Sequence, residues 1–111
     1  MTIERGTTQE IGITIKGWDL TECDIYVTFK QDTNSVTKKD MDSVTFVNND
    51  TKIVLTLSQQ ETMSFKSNRK GLVQVRWINA SGLVNKTSTA EFDVDELLYN
   101  VVLTKGADGD A

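Results

Sequence analysis

The sequence predicts an all-β fold, namely an immunoglobulin-like antiparallel β-sandwich with one or two short helical turns. Apolar and polar residues alternate with a period of two in a series of short segments, as they do in strands with one buried face. The 111 residues include no proline, so nothing in the composition breaks a strand ladder. About seven such strands in about 100 residues are typical of the immunoglobulin-type sandwich.

Two strands are predicted in the first third of the chain. Isoleucine occupies every second position of residues 11–15, and Gly17 is expected to end this strand. Residues 18–23 do not alternate and predict a turn or a single helical turn. Residues 25–29 alternate again and predict the second strand.

The middle of the chain predicts an edge strand followed by a hairpin. A polar turn at residues 31–35 leads into a strand at 36–39, whose lysines would discourage pairing with another sheet. Two alternating runs, residues 44–46 and 53–57, flank a polar turn at 48–50 and predict the hairpin.

Residues 59–65 are expected to form a short helix. Ser58 is followed three residues later by Glu61, the spacing of a capping box, in which each side chain satisfies a free amide of the first turn. A strand is predicted at residues 73–77 on the same alternation rule.

The C-terminal part predicts a last long strand in which Ala90, Phe92 and Val94 face inward. Asp95 and Glu96 are expected to open a helical turn. The chain is thus divided into an N-terminal arm or edge strand (residues 1–9), a sandwich domain (10–103) and a flexible tail (104–111).

Composition argues against catalysis, metal binding and nucleic-acid binding. The net charge of −4 has the wrong sign for a protein held to nucleic acid by counterion release. The chain has no histidine and one cysteine, which excludes serine–histidine and cysteine–histidine catalysis and a cysteine-rich zinc site within it. No loop collects the oxygen ligands of a calcium site. We therefore expect no enzyme, no catalytic residue and no cofactor.

Two exposed aromatic candidates are the basis for an alternative function. Trp18 and Tyr26 are candidate exposed contacts for a sugar ring, since flat amphipathic rings suit such ligands. Trp77 is in register with the apolar face of its strand and is expected in the core. Cys23 is expected to be inert because its acidic neighbours raise the thiol pKa. A carbohydrate- or surface-binding adhesin module is therefore the alternative function.

Four stretches together resemble small structural proteins of phages and prophages of Gram-positive bacteria. They are Arg5, Gly6, Thr7 and Thr8, then IYVTFKQ at 25–31, LSQQETMSF at 57–65 and VQVR at 73–76. The resemblance implies a virion component of the tail or baseplate region, whose partners are other virion structural proteins.

The expected function is accordingly a non-enzymatic virion adaptor that acts through protein–protein contacts. Arg5, Gly6, Thr7 and Thr8 are the candidate assembly arm, and a homo-oligomer is expected. The sequence shows no signal peptide and no apolar run of about 20 residues. We expect the protein in the virion, or in the host cytoplasm during assembly, without membrane contact.

Overall fold

The computed structural model describes residues 1–105. They form nine strands and one short helix. The strands are β1 (Thr2–Ile3), β2 (Gln9–Lys16), β3 (Asp24–Gln31), β4 (Asn34–Lys38), β5 (Ser43–Val47), β6 (Asp50–Leu57), β7 (Gly71–Ile78), β8 (Val84–Lys86) and β9 (Ala90–Val94), and the helix α1 (Gln59–Met63) lies between β6 and β7.

The strands build two sheets. One has the order β1-β9-β7-β3-β4, with β8 also paired to β7, and the other has the order β2-β6-β5. All pairs are antiparallel except β1 with β9. With β2, β3, β5, β6, β7 and β9 as strands B, C, D, E, F and G, this is the immunoglobulin arrangement, extended beyond strand C by β4. The predicted fold class is confirmed.

The core lies between the inward faces of the two sheets. Alternate residues of β2, β3, β6 and β7 are buried, as the period of two predicts. Phe92 is packed edge-on against Phe29 and Phe65, with ring centroids 6.0 Å and 5.3 Å apart. These rings close the core at the end of the sandwich where α1 lies.

The predicted hairpin and edge strand are both present. Asn48 and Asn49 connect β5 to β6 with φ angles of 54° and 66°. Two residues with positive φ match the right-handed twist of paired strands. At the edge of the other sheet, β4 occupies the predicted position.

The helix begins as predicted but ends earlier. The Ser58 hydroxyl accepts from the Glu61 amide, and the Glu61 carboxylate accepts from the Ser58 amide, which completes the capping box. Ser64 is the C-cap, where its amide donates to the Gln60 and Glu61 carbonyl oxygens and its hydroxyl donates to the Glu61 carbonyl oxygen. Phe65 lies beyond the helix and is fully buried.

The last long strand was predicted wrongly, because it is interrupted between β8 and β9. Thr87 lies at the interruption, where its amide donates to the Val75 carbonyl and its hydroxyl accepts from the Val75 amide. The Gln74 side chain donates to the Thr87 carbonyl. These bonds replace the regular ladder. Ala90 at the start of β9 is in phase with Phe92 and Val94 and faces inward as predicted, but it is exposed because it lines a cleft between the sheets.

The second helical turn was also predicted wrongly, since residues 95–105 contain no helix. The Asp95 carboxylate accepts from the Arg5 amide, and the Glu96 carboxylate accepts from the Asn68 side chain. Neither carboxylate is therefore used to cap its own turn.

The described residues cover only part of the predicted division into N-terminal arm, sandwich domain and tail. Residues 2–3 pair with β9 inside the domain, and most of the predicted tail, residues 106–111, lies outside the described residues. Within residues 1–105, no helix is long and apolar enough to cross a membrane.

Candidate functional site

Arg5 connects three separate parts of the chain at the α1 end of the sandwich. Its guanidinium donates to the Met63 carbonyl oxygen at 3.2 Å, to the Ser67 hydroxyl at 3.2 Å and to the Asn100 side-chain oxygen at 2.8 Å. The β1–β2 connection, the end of α1 and the C-terminal stretch are therefore held by one side chain. The planar, forked guanidinium suits this geometry because it carries five donors.

The rest of the candidate assembly arm is bound to the same end of the domain. Gly6 adopts a φ of +79°, and its amide donates to the Thr62 hydroxyl at 3.1 Å. The Thr62 hydroxyl in turn donates to the Thr7 carbonyl at 2.9 Å, while Thr8 is exposed just before β2. The four residues lie in a turn on the domain surface, and their part in assembly stays a prediction.

The residues after β9 form an exposed apolar strip, which we call the terminal segment (residues 97–103). Leu98 is 95% exposed and Tyr99 is 67% exposed. The other exposed apolar residues of the strip are Val101, Val102 and Leu103. Five exposed apolar residues within seven positions indicate an interaction site more strongly than scattered single residues do.

Two contacts hold the terminal segment, which bends at residues 98, 99 and 101, against the rest of the domain. Arg5 binds Asn100 near its middle. At its end, the Gln59 side chain donates to the Leu103 carbonyl at 2.9 Å and accepts from the Leu103 amide at 2.8 Å. The sequence showed that residues 101–103 are apolar, but the exposure and the two contacts depend on residues distant in the chain.

The sandwich is open along β2. This strand is an edge of its sheet, and a cleft of about 580 Å³ separates it from the other sheet near the interruption between β8 and β9. Ile13 of β2, Val75 of β7 and Ala90 of β9 are among the residues that line the cleft. An extended peptide could enter here and pair with β2.

The two candidate aromatic contacts do not form a joint platform. Trp18 is 46% exposed and Tyr26 is 39% exposed. The Trp18 ring is packed against Trp77 with centroids 5.3 Å apart and planes at 64°. Among residues 1–105, the aromatic pairs do not include Trp18 with Tyr26. Trp77 is 3% exposed, which confirms its predicted place in the core.

Cys23 lies in an acidic environment next to β3. Desolvation raises the pKa of its thiol, and the carboxylates of Asp19, Asp24 and Glu22 raise it further. A thiol with a raised pKa forms little thiolate at neutral pH and is a poor nucleophile. In the described part of the chain, no group of three or more His, Cys, Asp or Glu residues is placed to hold a metal ion.

Sequence reasoning missed three buried polar residues that hold the connections in place. The Thr51 hydroxyl accepts from the Leu20 amide and donates to the Trp18 carbonyl, and Thr62 holds the turn at Gly6. The Gln31 side chain accepts from the Lys66 amide and donates to the Lys66 and Arg69 carbonyl oxygens. Thr51 and Gln31 are in phase with the apolar positions of their strands, which is the signal that could have identified them.

No protein-family model and no curated protein matches the sequence. Among solved structures, the chain is similar to the V domain of amphioxus IgVJ-C2, with 14% identity over 86% of this chain and 100% of that domain, and a TM-score of 0.29. A similarity of this size carries no functional argument. The immunoglobulin-like assignment rests on the strand order.

Proposed function

We propose that this protein is a non-enzymatic structural adaptor of a phage or prophage virion, which acts by binding other structural proteins of the tail or baseplate. The observation that carries the adaptor function is the terminal segment, an apolar strip presented on the domain surface. The virion context comes from the sequence resemblance alone.

The terminal segment has two properties that favour binding to a protein. Its apolar side chains are exposed at the cost of ordering water, so their burial by a partner is favourable. The contacts from Arg5 and Gln59 hold it in one conformation before a partner arrives. Less conformational entropy is then lost on binding than for a free peptide of the same sequence.

The charge of the chain narrows the class of partner. With a net charge of −4, the domain repels phosphate backbones, and a partner protein with an apolar groove fits the strip better than nucleic acid does. Catalysis is not part of the proposal, because binding explains the exposed groups without a reaction.

Virion incorporation tests this proposal directly. Particles are produced from a phage or induced prophage that carries the gene, purified by density gradient and examined for the chain by mass spectrometry. We expect the wild-type chain in the particles. The double variant Leu98→Asp, Tyr99→Asp should be folded by circular dichroism and depleted from particles at least about tenfold, because a charged residue in an apolar contact is left desolvated.

Leu83→Asp is the matched control, since Leu83 is also an exposed leucine but lies in the β7–β8 connection, away from the terminal segment. It should be incorporated normally. Absence of the wild-type chain from purified particles would overturn the virion function. Normal incorporation of the double variant would overturn the role of the terminal segment.

A further inference from the structure

The outer edge of β2 presents unpaired peptide groups over its whole length. The Gly17 amide donates to the Asn49 carbonyl at 2.9 Å, so odd-numbered residues of this strand direct their peptide groups toward β6. Neighbouring residues in an antiparallel ladder alternate in direction. Glu10, Gly12, Thr14 and Lys16 therefore direct their N–H and C=O groups outward, and within residues 1–105 no group bonds to them there.

Side chains of β2 are arranged symmetrically about Ile13. Glu10 lies three positions before Ile13 and Lys16 three positions after it, and both are exposed. Ile11 and Ile15 lie two positions before and after it and face the core side. A strand with this arrangement is complementary to itself when turned by 180°.

We propose that β2 pairs antiparallel with β2 of a second copy of this chain, about a two-fold axis at Ile13. The inference rests on the proposed function in one respect, that the chain acts by protein contact, and it names one of the partners. The two three-stranded sheets join into one six-stranded sheet across the axis. The interface is isologous and closes as a dimer.

The pairing about Ile13 satisfies both the backbone and the side chains. Glu10 of each copy lies opposite Lys16 of the other, and Gly12 lies opposite Thr14, all in hydrogen-bonded positions. Ile11 lies opposite Ile15 in the positions where side chains approach most closely. A shift of two residues in either direction takes both charge pairs out of register.

The other free edges do not share these features. β1 has two residues, and β5 carries no charged residue that could select a register. β4 ends in Lys38, which is bonded to Glu61 of α1, and has no acidic residue to place opposite it. Beside β2, the cleft leaves room for apolar side chains of the second copy.

Charge-reversal substitutions in the purified chain test the register of the β2 pairing. In Glu10→Lys both pairs become Lys opposite Lys, and in Lys16→Glu both become Glu opposite Glu. Each single variant should dimerise about thirtyfold more weakly at low salt, since two direct pairs change from attraction to repulsion. Dimerisation is measured by sedimentation velocity. Glu22→Lys and Lys30→Glu, exposed residues outside β2, make the same charge changes and should leave the dimer intact.

Mixing distinguishes this register from a general charge effect. An equimolar mixture of Glu10→Lys and Lys16→Glu chains places Lys opposite Glu at every pair, so it should form heterodimers at concentrations where each weakened variant alone does not dimerise. In the wild type, amides of residues 10, 12, 14 and 16 should exchange with solvent more slowly as concentration rises. A strictly monomeric wild type, or a dimer without protection of these four amides, overturns the proposal.

The two proposals fail separately. The dimer is measured on purified protein with an intact terminal segment, whereas virion incorporation is measured with β2 unchanged. Loss of dimerisation in the Leu98→Asp, Tyr99→Asp variant would assign self-association to the terminal segment and overturn the β2 dimer.

Discussion

The Arg5 guanidinium and the Asn100 side-chain oxygen are joined by a 2.8 Å hydrogen bond, although 95 positions separate them in the sequence. Arg5 lies two residues after the end of β1, and Asn100 lies six residues after the end of β9. These two strands are paired in parallel. The bond therefore extends the contact between the two ends of the domain beyond the sheet. It also sets the position from which Leu98 and Tyr99 are exposed.

Replacement of Arg5 by alanine should release the terminal segment. The substitution removes three hydrogen bonds from a charged donor, and the expected loss of unfolding free energy is about 1–3 kcal/mol. Hydrogen exchange of residues 97–103 should accelerate more than that of β3. Arg69→Ala is the control, because the exposed Arg69–Asp32 pair should contribute about 0.5 kcal/mol or less. Equal effects of both variants would contradict the role of Arg5.

Thr51→Val should destabilise the β2–β3 connection although it changes little in shape. The buried Thr51 hydroxyl serves both the Leu20 amide and the Trp18 carbonyl, and valine leaves both without a partner. The expected cost is about 1–3 kcal/mol in urea unfolding. Thr45→Val, at an exposed position of β5, should change stability by less than about 0.5 kcal/mol. A neutral Thr51→Val variant would show that these groups find other partners.

Alanine substitutions at two strand glycines should change stability in different directions. A β-carbon at Gly71 would collide with the Phe92 ring and lie 2.8 Å from the Lys30 carbonyl oxygen. We expect Gly71→Ala to cost about 1–3 kcal/mol, since the ring closes the core and cannot yield freely. At Gly12 the same atom meets nothing within 4 Å, and Gly12→Ala should be neutral or stabilising by up to about 1 kcal/mol. Thermal unfolding compares the two, and equal costs would contradict this packing.

Acid should weaken the anchoring of α1. Partial burial raises the pKa of Glu61, but hydrogen bonds from Ser58 and the ion pair with Lys38 outweigh it and lower the pKa below its ordinary 4.5. A carboxyl group with a depressed folded-state pKa stabilises the fold above its unfolded-state pKa, and this contribution is lost as the pH falls through the folded-state value. Stability should therefore decline below about pH 4.5.

Glu61→Gln tests the charge of this group without removing the cap, because glutamine also completes a capping box. The variant should show a shallower decline of unfolding free energy with acid than the wild type. Lys38→Met should reduce the slope in the same direction by removing the ion-pair partner. An unchanged slope in Glu61→Gln would assign the acid sensitivity to other carboxylates.

The two tryptophans should differ in accessibility. Trp77 is 3% exposed and Trp18 is 46% exposed, so acrylamide should quench the emission of Trp77→Phe, which retains Trp18, more strongly than that of Trp18→Phe. Trp77→Ala should cost about 3–5 kcal/mol, as expected for truncation of a buried aromatic. Equal quenching of the two single-tryptophan proteins would contradict the burial of Trp77.

Local pattern was enough to predict most of the sandwich. The alternation at Ile25, Val27 and Phe29 predicts a strand because each side chain can be assigned to a face without knowledge of its neighbours. The capping box at Ser58 is likewise local. These features depend on residues within a few positions of one another, so sequence alone carries them.

The candidate site could be predicted only in part, because its features depend on residues that are far apart in the sequence. The interruption at Thr87 depends on bonds to Val75, and the exposure of the terminal segment depends on Arg5 and Gln59. Asp95 shows the consequence, because its spacing suits a helix start but its carboxylate binds the distant Arg5 amide. Contacts over such separations leave no periodic signal in the sequence.

The parallel pairing of β1 and β9 determines how the domain would carry mechanical load. The Asp93 amide donates to the Met1 carbonyl and the Asp95 amide to the Ile3 carbonyl. Tension applied between residue 1 and residue 103 pulls the two strands lengthwise past each other, so these bonds must rupture together instead of unzipping one after another. The contacts of Asn100 with Arg5 and of Leu103 with Gln59 lie between the point of load and β9 along the chain, so the same tension reaches them first. Rupture of the β1–β9 bonds is therefore the step that sets the resistance of the domain to such tension.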